Sequence, residues 1–148
     1  MDGVRARSQT LMPGRFSMIH FDTSFLIQAT IAGSPAHDRF RLWAAAGETL
    51  GVSTVAWAEY LCGPLDAQSQ ALAKQIFPLP EGFLAADAAL AADLFNRAAR
   101  RSRSLADCMI AAVAIRCGAK LATINASDFQ PLVSIWPETP NFGSSARR

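Results

Sequence analysis

A chain of 148 residues, 51% of them hydrophobic, has enough apolar material for one domain with a sizeable core and too little for two. Of its 14 basic and 12 acidic residues, three arginines and one aspartate precede Met18, so 11 of each sign remain beyond it; a broadly basic nucleic-acid-binding surface is excluded and any such affinity must come from local clusters. No apolar run approaches the roughly 18 residues of a membrane span, and the first residues lack the apolar stretch of a secretory signal, so a cytoplasmic protein without membrane attachment is expected.

In chain order, residues 1–17 combine three arginines, two glycines and a proline without an apolar period, the composition of a disordered extension, with Met18 a candidate start. A short apolar strand is expected over 18–22, turning at once into a helix capped by Thr23 or Ser24. An amphipathic helix follows over 35–46, ended by Gly47, then a strand over 49–53. Ser53 or Thr54 can cap the helix 55–62, which Gly63 and Pro64 stop. A helix over 66–75, a strand-like 76–79 and an alanine-rich helix from about 84 to 100 come next. Ser104 as N-cap and Gly118 beyond the end bracket a helix whose only charged residues are Asp107 and Arg116, so it should be covered nearly all round. A strand over 120–123, a turn over 125–128, a last strand over 132–136 and a flexible tail, 137–148, complete the chain. The folded domain is thus expected over 18–136.

Short apolar strands alternating with helices predict an α/β fold, a parallel sheet of four to five strands covered on both faces in three α/β/α layers. Right-handed crossovers put the strand C-termini, and with them Asp22 and Asn125, on one edge, which helices carrying Glu59 and Asp107 can also reach.

Each acid has two readings. Asp107 lies on a helical stripe with Ile110, Ala111 and Ala114, where it is either the second half of a Ser104 capping box or a metal ligand. Asp22 is either a loop acid capping the next helix or a crevice carboxylate at the end of a first strand. Glu59 sits among Ala58, Tyr60, Leu61 and Cys62, which suggests a dry face. The arginines Arg97, Arg100, Arg101 and Arg103 form either a phosphate-binding cluster or a solvated helix end. Cys62, Cys108 and Cys117 stand among apolar residues and read as reduced core thiols.

Four segments carry a family resemblance: His20-Phe-Asp-Thr-Ser-Phe-Leu-Ile27, Ser53-Thr-Val-Ala-Trp-Ala-Glu-Tyr-Leu-Cys-Gly63, Leu105-Ala-Asp-Cys-Met-Ile-Ala-Ala-Val-Ala114 and Leu121-Ala-Thr-Ile-Asn-Ala-Ser-Asp-Phe129. In order and spacing they resemble the motifs of PIN-domain ribonucleases, above all the small VapC-type toxins of type II toxin–antitoxin pairs. The resemblance implies acids at Asp22, Glu59 and Asp107. The family's fourth acidic position falls on Asn125, with Asp128 three residues later as a further candidate. Thr123 matches the family's hydroxyl, and Thr23 and Thr123 count as supporting residues. Three gathered carboxylates repel one another, and an all-oxygen set favours Mg2+ or Mn2+. On this reading Asp22 and Asp107 are direct ligands, Glu59 acts through water or orients the attacking water, and Asn125 and Asp128 assist hydrolysis of an RNA phosphodiester.

The toxin resemblance also implies a cognate antitoxin over the active-site groove and a homodimer. Phe40, Trp43, Trp57 and Tyr60 either line such a docking groove or fill the core. Two further readings remain: a PIN-fold module that binds RNA or a partner without cutting, and a phosphohydrolase with Asp22 as nucleophile. The second lacks its usual acid two residues on, where Ser24 stands, and Lys120 begins the wrong end of its strand.

Overall fold

The computed structural model describes residues 18–97, 104–125 and 135–136. The expected extension 1–17, the tail 137–148, Asp128 and three of the four clustered arginines, Arg100, Arg101 and Arg103, lie outside them.

Four parallel strands, β1 (Met18–Phe21), β2 (Thr49–Val52), β3 (Lys120–Ala122) and β4 (Ile135–Trp136), form one sheet in the order β2-β1-β3-β4. Among the described residues six helices accompany them: α1 (Thr23–Ala29), α2 (Pro35–Ala45), α3 (Thr54–Cys62), α4 (Ala67–Ile76), α5 (Ala85–Arg97) and α6 (Leu105–Arg116). The α/β/α fold is therefore as the alternation of elements predicts. In the sheet, Phe21 is level with Val52 on one side and Ala122 on the other. Their successors, Asp22, Ser53 and Thr123, consequently leave the sheet side by side at one edge.

The core is built on both sides of β1. Phe21 meets Phe25 at 4.8 Å, Phe77 at 5.2 Å and Trp43 at 6.0 Å between ring centroids, largely edge to face. By the alternation of a strand, His20 faces the other way, and its ring lies against Gly51, its partner on β2. As its composition predicts, α6 is deeply buried, with Cys108, Ile110, Ala111, Ala112, Val113 and Ala114 all at 2% exposure or less. Its alanines let α5 and β3 approach closely. Gly118, at φ +64°, turns the chain from α6 into β3 in a conformation L-residues disfavour.

Three expectations are corrected. Residues 76–79 are not a strand: α4 continues through Ile76, Phe77 leaves it to enter the core, and the backbone that pairs beside β2 is Glu81. Pro78 and Pro80 lack the N–H groups a ladder needs, and Leu79 between them is 90% exposed. The α3 face bearing Glu59 is wet, since Ala58, Glu59, Leu61 and Cys62 are exposed while Ala56 and Tyr60 point inward. Cys62 is accordingly a surface thiol, unlike buried Cys108 and half-buried Cys117.

A single guanidinium ties the α5–α6 side to β2. Arg116 donates through Nε to both oxygens of buried Asp87 (2.8 and 3.0 Å), through Nη1 to Glu81 (2.9 Å) and through Nη2 to the Gly82 carbonyl (2.9 Å). Glu81 in turn takes the Thr54 amide and gives its own to Val52, each at 2.8 Å. No helix among the described residues is long and apolar enough to cross a membrane.

Candidate active site

Asp22 stands where β1 ends and α1 begins, and its backbone belongs to both. Its amide donates to the Ala122 carbonyl at 3.0 Å, prolonging the β1–β3 pairing, while its carbonyl accepts the first helical bond from Leu26 at 2.9 Å. The side chain caps α1: Oδ1 accepts from the Phe25 amide at 2.7 Å. The cap is thus Asp22, not Thr23 or Ser24, which become the first helical residues. The Ser24 hydroxyl lies 2.9 and 3.1 Å from the two oxygens of Asp22, and Thr123, leaving the adjacent strand, donates to Oδ2. The Asn125 amide closes a small turn onto the Thr123 hydroxyl at 3.0 Å.

The carboxylate so held is 3% exposed. Burial pushes its pKa above the ordinary value; the bonds from Thr123, Phe25 and Ser24 oppose the rise, and the nearby charge of Asp107 adds to it. Asp107 lies in the first turn of α6, and from there its charge acts on Asp22. Asp107 is half-buried and completes the expected capping box, its amide donating to Ser104 Oγ at 3.1 Å and its Oδ2 accepting from the Ser104 amide at 3.3 Å. The cap and the proximity to Asp22 coexist, because the box uses one oxygen and leaves the other.

Glu59 reaches the same edge from α3. It is exposed, and Thr23, the first residue of α1, donates to its Oε1 at 2.8 Å. Thr23, the residue next to Asp22, therefore ties the glutamate to the start of α1. Asn125 is exposed, and its backbone amide joins this edge. Arg97 is exposed and paired with Asp93 at 2.9 Å on its own helix. From sequence Ser24 is a candidate cap alone; its bond to Asp22 is signalled by the Asp-x-Ser step at a helix start.

Of the four aromatics considered for a docking groove, Trp43 (5% exposed) and Tyr60 (0%) are core residues. Phe40 and Trp57 pack partly buried against that core. The Tyr60 hydroxyl is satisfied internally, by the Ser69 carbonyl at 3.2 Å and the Thr30 hydroxyl at 3.3 Å. The core reading holds for Trp43 and Tyr60, while Phe40 and Trp57 keep part of their surface outside the core.

The donors at this edge are all oxygens. Among the described residues no three His, Cys, Asp or Glu side chains converge on one metal position. Mg2+, however, is commonly held by one or two carboxylates with water and substrate phosphate filling the rest. A buried aspartate whose ionisation is opposed by a second acid fits such a cation.

No curated protein matches the chain. Among solved structures, VapBC2 from Rickettsia felis, bound to a DNA fragment from its promoter, superposes with a TM-score of 0.62 at 20% identity over 80% of this chain and 96% of that one. A toxin–antitoxin complex from Klebsiella pneumoniae gives 0.60 at 23% over 76% and 91%. VapC20 of Mycobacterium tuberculosis, a toxin that cleaves the sarcin-ricin loop, gives 0.52 at 25% over 69% and 85%. The PIN domain family matches residues 19–130. That span covers well over half of the chain and includes every element that supplies Asp22, Glu59 and Asp107, so the chain belongs to the PIN domain family.

Proposed function

We propose that the chain is a Mg2+- or Mn2+-dependent endoribonuclease acting as the toxin of a toxin–antitoxin pair. The observation that carries the proposal is Asp22: a carboxylate buried at the strand edge, fixed by three hydrogen-bond donors and pressed by the charge of Asp107. Members of the family are generally nucleases, and the superposing structures belong to toxins and toxin–antitoxin complexes.

In this reading Asp22 and the Asp107 oxygen outside the capping box would hold the cation, which when bound would neutralise the scissile phosphate and acidify a water molecule. Glu59, aimed by the Thr23 hydroxyl, orients that water and takes its proton as the water oxygen attacks phosphorus; the ribose oxygen opposite leaves and is protonated from solvent. Thr123 keeps Asp22 in place, and the turn it makes with Asn125 shapes the edge. Asp128, outside the described residues, is kept as a supporting candidate, as are Arg97, Arg100, Arg101 and Arg103 for RNA contact. The domain is taken as 18–136, in a cytoplasmic protein that forms a homodimer and is held inactive by its antitoxin.

The test is cleavage of labelled single-stranded RNA by wild type with Mg2+ or Mn2+, with chelator, and by Asp22→Asn. Cleavage that requires the metal and is lost in the variant supports the reading. Cleavage indifferent to both overturns it.

A further inference from the structure

Beside the carboxylate edge lies a pocket of about 350 Å3, lined by Phe25 and Gln28 of α1, Pro35, Ala36 and Arg39 of α2, and Thr123 and Ile124 after β3. It shares a wall with the site, since Thr123 both lines it and donates to Asp22. Its shape is fixed by the α1–α2 hairpin: the Ser34 hydroxyl caps α2 through the His37 amide (3.0 Å) and donates to the Gln28 carbonyl (2.5 Å), and His37 Nδ1 lies 2.7 Å from the Ala29 carbonyl. The two side chains with recognition chemistry, Gln28 and Arg39, are exposed, and Arg39 has no ion-pair partner among the described residues. Ile124 leaves an apolar side chain 52% exposed.

We propose that this pocket is a nucleobase subsite: it receives the base of a nucleotide flanking the cleaved bond, with Gln28 reading the base edge and Arg39 binding the adjoining phosphate. The inference rests on the ribonuclease reading and deepens it. Three features point to a nucleotide. The pocket is at the small end of ligand sites, which span about 300–1,000 Å3, the scale of a single base and its sugar. Its walls are mostly apolar, as a flat base requires, with an amide able to donate and accept at the rim, which is how unstacked RNA bases are read. Its cation answers a specific need, because RNA approaching Asp22, Glu59 and Asp107 meets negative charge, and an arginine fork beside that edge supplies a bidentate phosphate contact. A docked protein helix would instead need a row of anchors along a groove.

The test has two arms on the full chain. In chelator, nuclear magnetic resonance titration with AMP, CMP, GMP and UMP should shift Gln28, Thr123 and Ile124 signals, with one or two nucleotides favoured, and Arg39→Ala should weaken that binding about tenfold. In metal, cleavage of RNA with randomised nucleotides should show a preference next to the cut that Gln28→Ala flattens, while Arg39→Ala raises KM and lowers the salt slope of binding by about 0.7. Arg41→Ala, on the same helix but outside this pocket, is the unchanged control. Wild type that cleaves RNA while nucleotides leave the pocket signals unmoved overturns the subsite alone. Pocket binding without any RNA cleavage sinks the ribonuclease reading and, with it, the assignment of the pocket next to a cleaved bond. Signals moved only by a co-expressed protein partner, and by no nucleotide, make the pocket a protein-docking surface and overturn the proposal.

Discussion

His20 and Gly51 are direct partners across β1 and β2, and the imidazole occupies the space a side chain at position 51 would need, with Nε2 and Cδ2 only 2.6 and 2.7 Å from where a Cβ would stand. The ring is 3% exposed and has little room to move. Gly51→Ala should therefore destabilise the protein by about 1–3 kcal/mol, the usual cost of overpacking. Pairing it with His20→Ala should recover part of that loss, so the double variant is less destabilised than the sum of the singles. Urea unfolding of the four proteins measures this coupling; strict additivity would mean that the ring is not what fills the space.

Asp22 gives the metal-free protein a defined pH response. Its folded pKa lies above the unfolded value of about 3.9. Between the two, the folded state keeps a proton the unfolded state has released, so stability falls as pH rises through that window and stays lower above it. Asn at this position retains the α1 cap without the charge. In chelator, Asp22→Asn should be more stable than wild type at pH 7, with the gap narrowing toward about pH 4. A less stable variant at pH 7 would show that the hydrogen bonds of the carboxylate outweigh its burial.

His20 acts in the opposite sense. Burial lowers its pKa, and Glu81 and Arg116 press in opposing directions. Its neutral form belongs to the folded state, so its contribution is present above the unfolded value of about 6.5 and is lost as pH falls below it. Thermal melts of Asp22→Asn, which isolates this limb, should decline from pH 7 to pH 5, and a flat profile would refute the assignment.

Asp107 can be separated into its two roles by two substitutions. Asp107→Asn keeps an acceptor for the Ser104 amide, so α6 should remain capped and the fold as stable as before or more so, because the repulsion with Asp22 is gone. Metal-dependent cleavage should nevertheless be abolished. Asp107→Ala loses the acceptor too and should cost about 0.5–1 kcal/mol beyond the Asn variant. Full cleavage by the Asn variant would leave Asp107 with the capping role alone.

Thr23 aims Glu59 without belonging to the buried cluster. Thr23→Val keeps the shape and removes the hydroxyl 2.8 Å from Glu59. Stability should change by less than about 0.5 kcal/mol, while kcat drops about tenfold, the effect of one lost hydrogen bond, at unchanged KM. Thr23→Ser should restore kcat. A fall in KM and kcat together, unrescued by Ser, would assign Thr23 to substrate binding instead.

Local signals made much of this legible in the sequence. Strand and helix placement follows from apolar runs punctuated by Ser53, Ser104, Gly47 and Gly118, whose capping and turn chemistry acts within a few residues. Asp22 and Asp107 stood out because each interrupts an apolar stretch. What stayed hidden depends on register and on which side of a helix turns inward. The approach of Thr123 to Asp22 follows from the alignment of Phe21 with Ala122, a long-range fact. The wet face of α3 is not visible in the sequence because Ala58, Leu61 and Cys62 are apolar residues that are nonetheless exposed. Gln28 and Arg39 come to line one pocket only through the α1–α2 hairpin, and nothing in their spacing marks them as a pair.

The Arg116 tie has a consequence for how the molecule breathes. Residues 81–84 form no helix or named strand, yet the Glu81 amide is bonded to Val52 and the Leu84 amide to Asp87 Oδ2 at 2.9 Å. Burial works against the Asp87 charge, but Arg116 and the Leu84 amide hold its carboxyl below the ordinary range, so the tie stays ionised well into acid. To free either amide the chain must also release the guanidinium from two carboxylates and a carbonyl. Irregular backbone of this kind ordinarily exchanges its amide hydrogens by local opening. Here the Glu81 and Leu84 amides should exchange as slowly as those of the surrounding core, so a stretch that looks like a surface loop opens only when the domain itself comes apart.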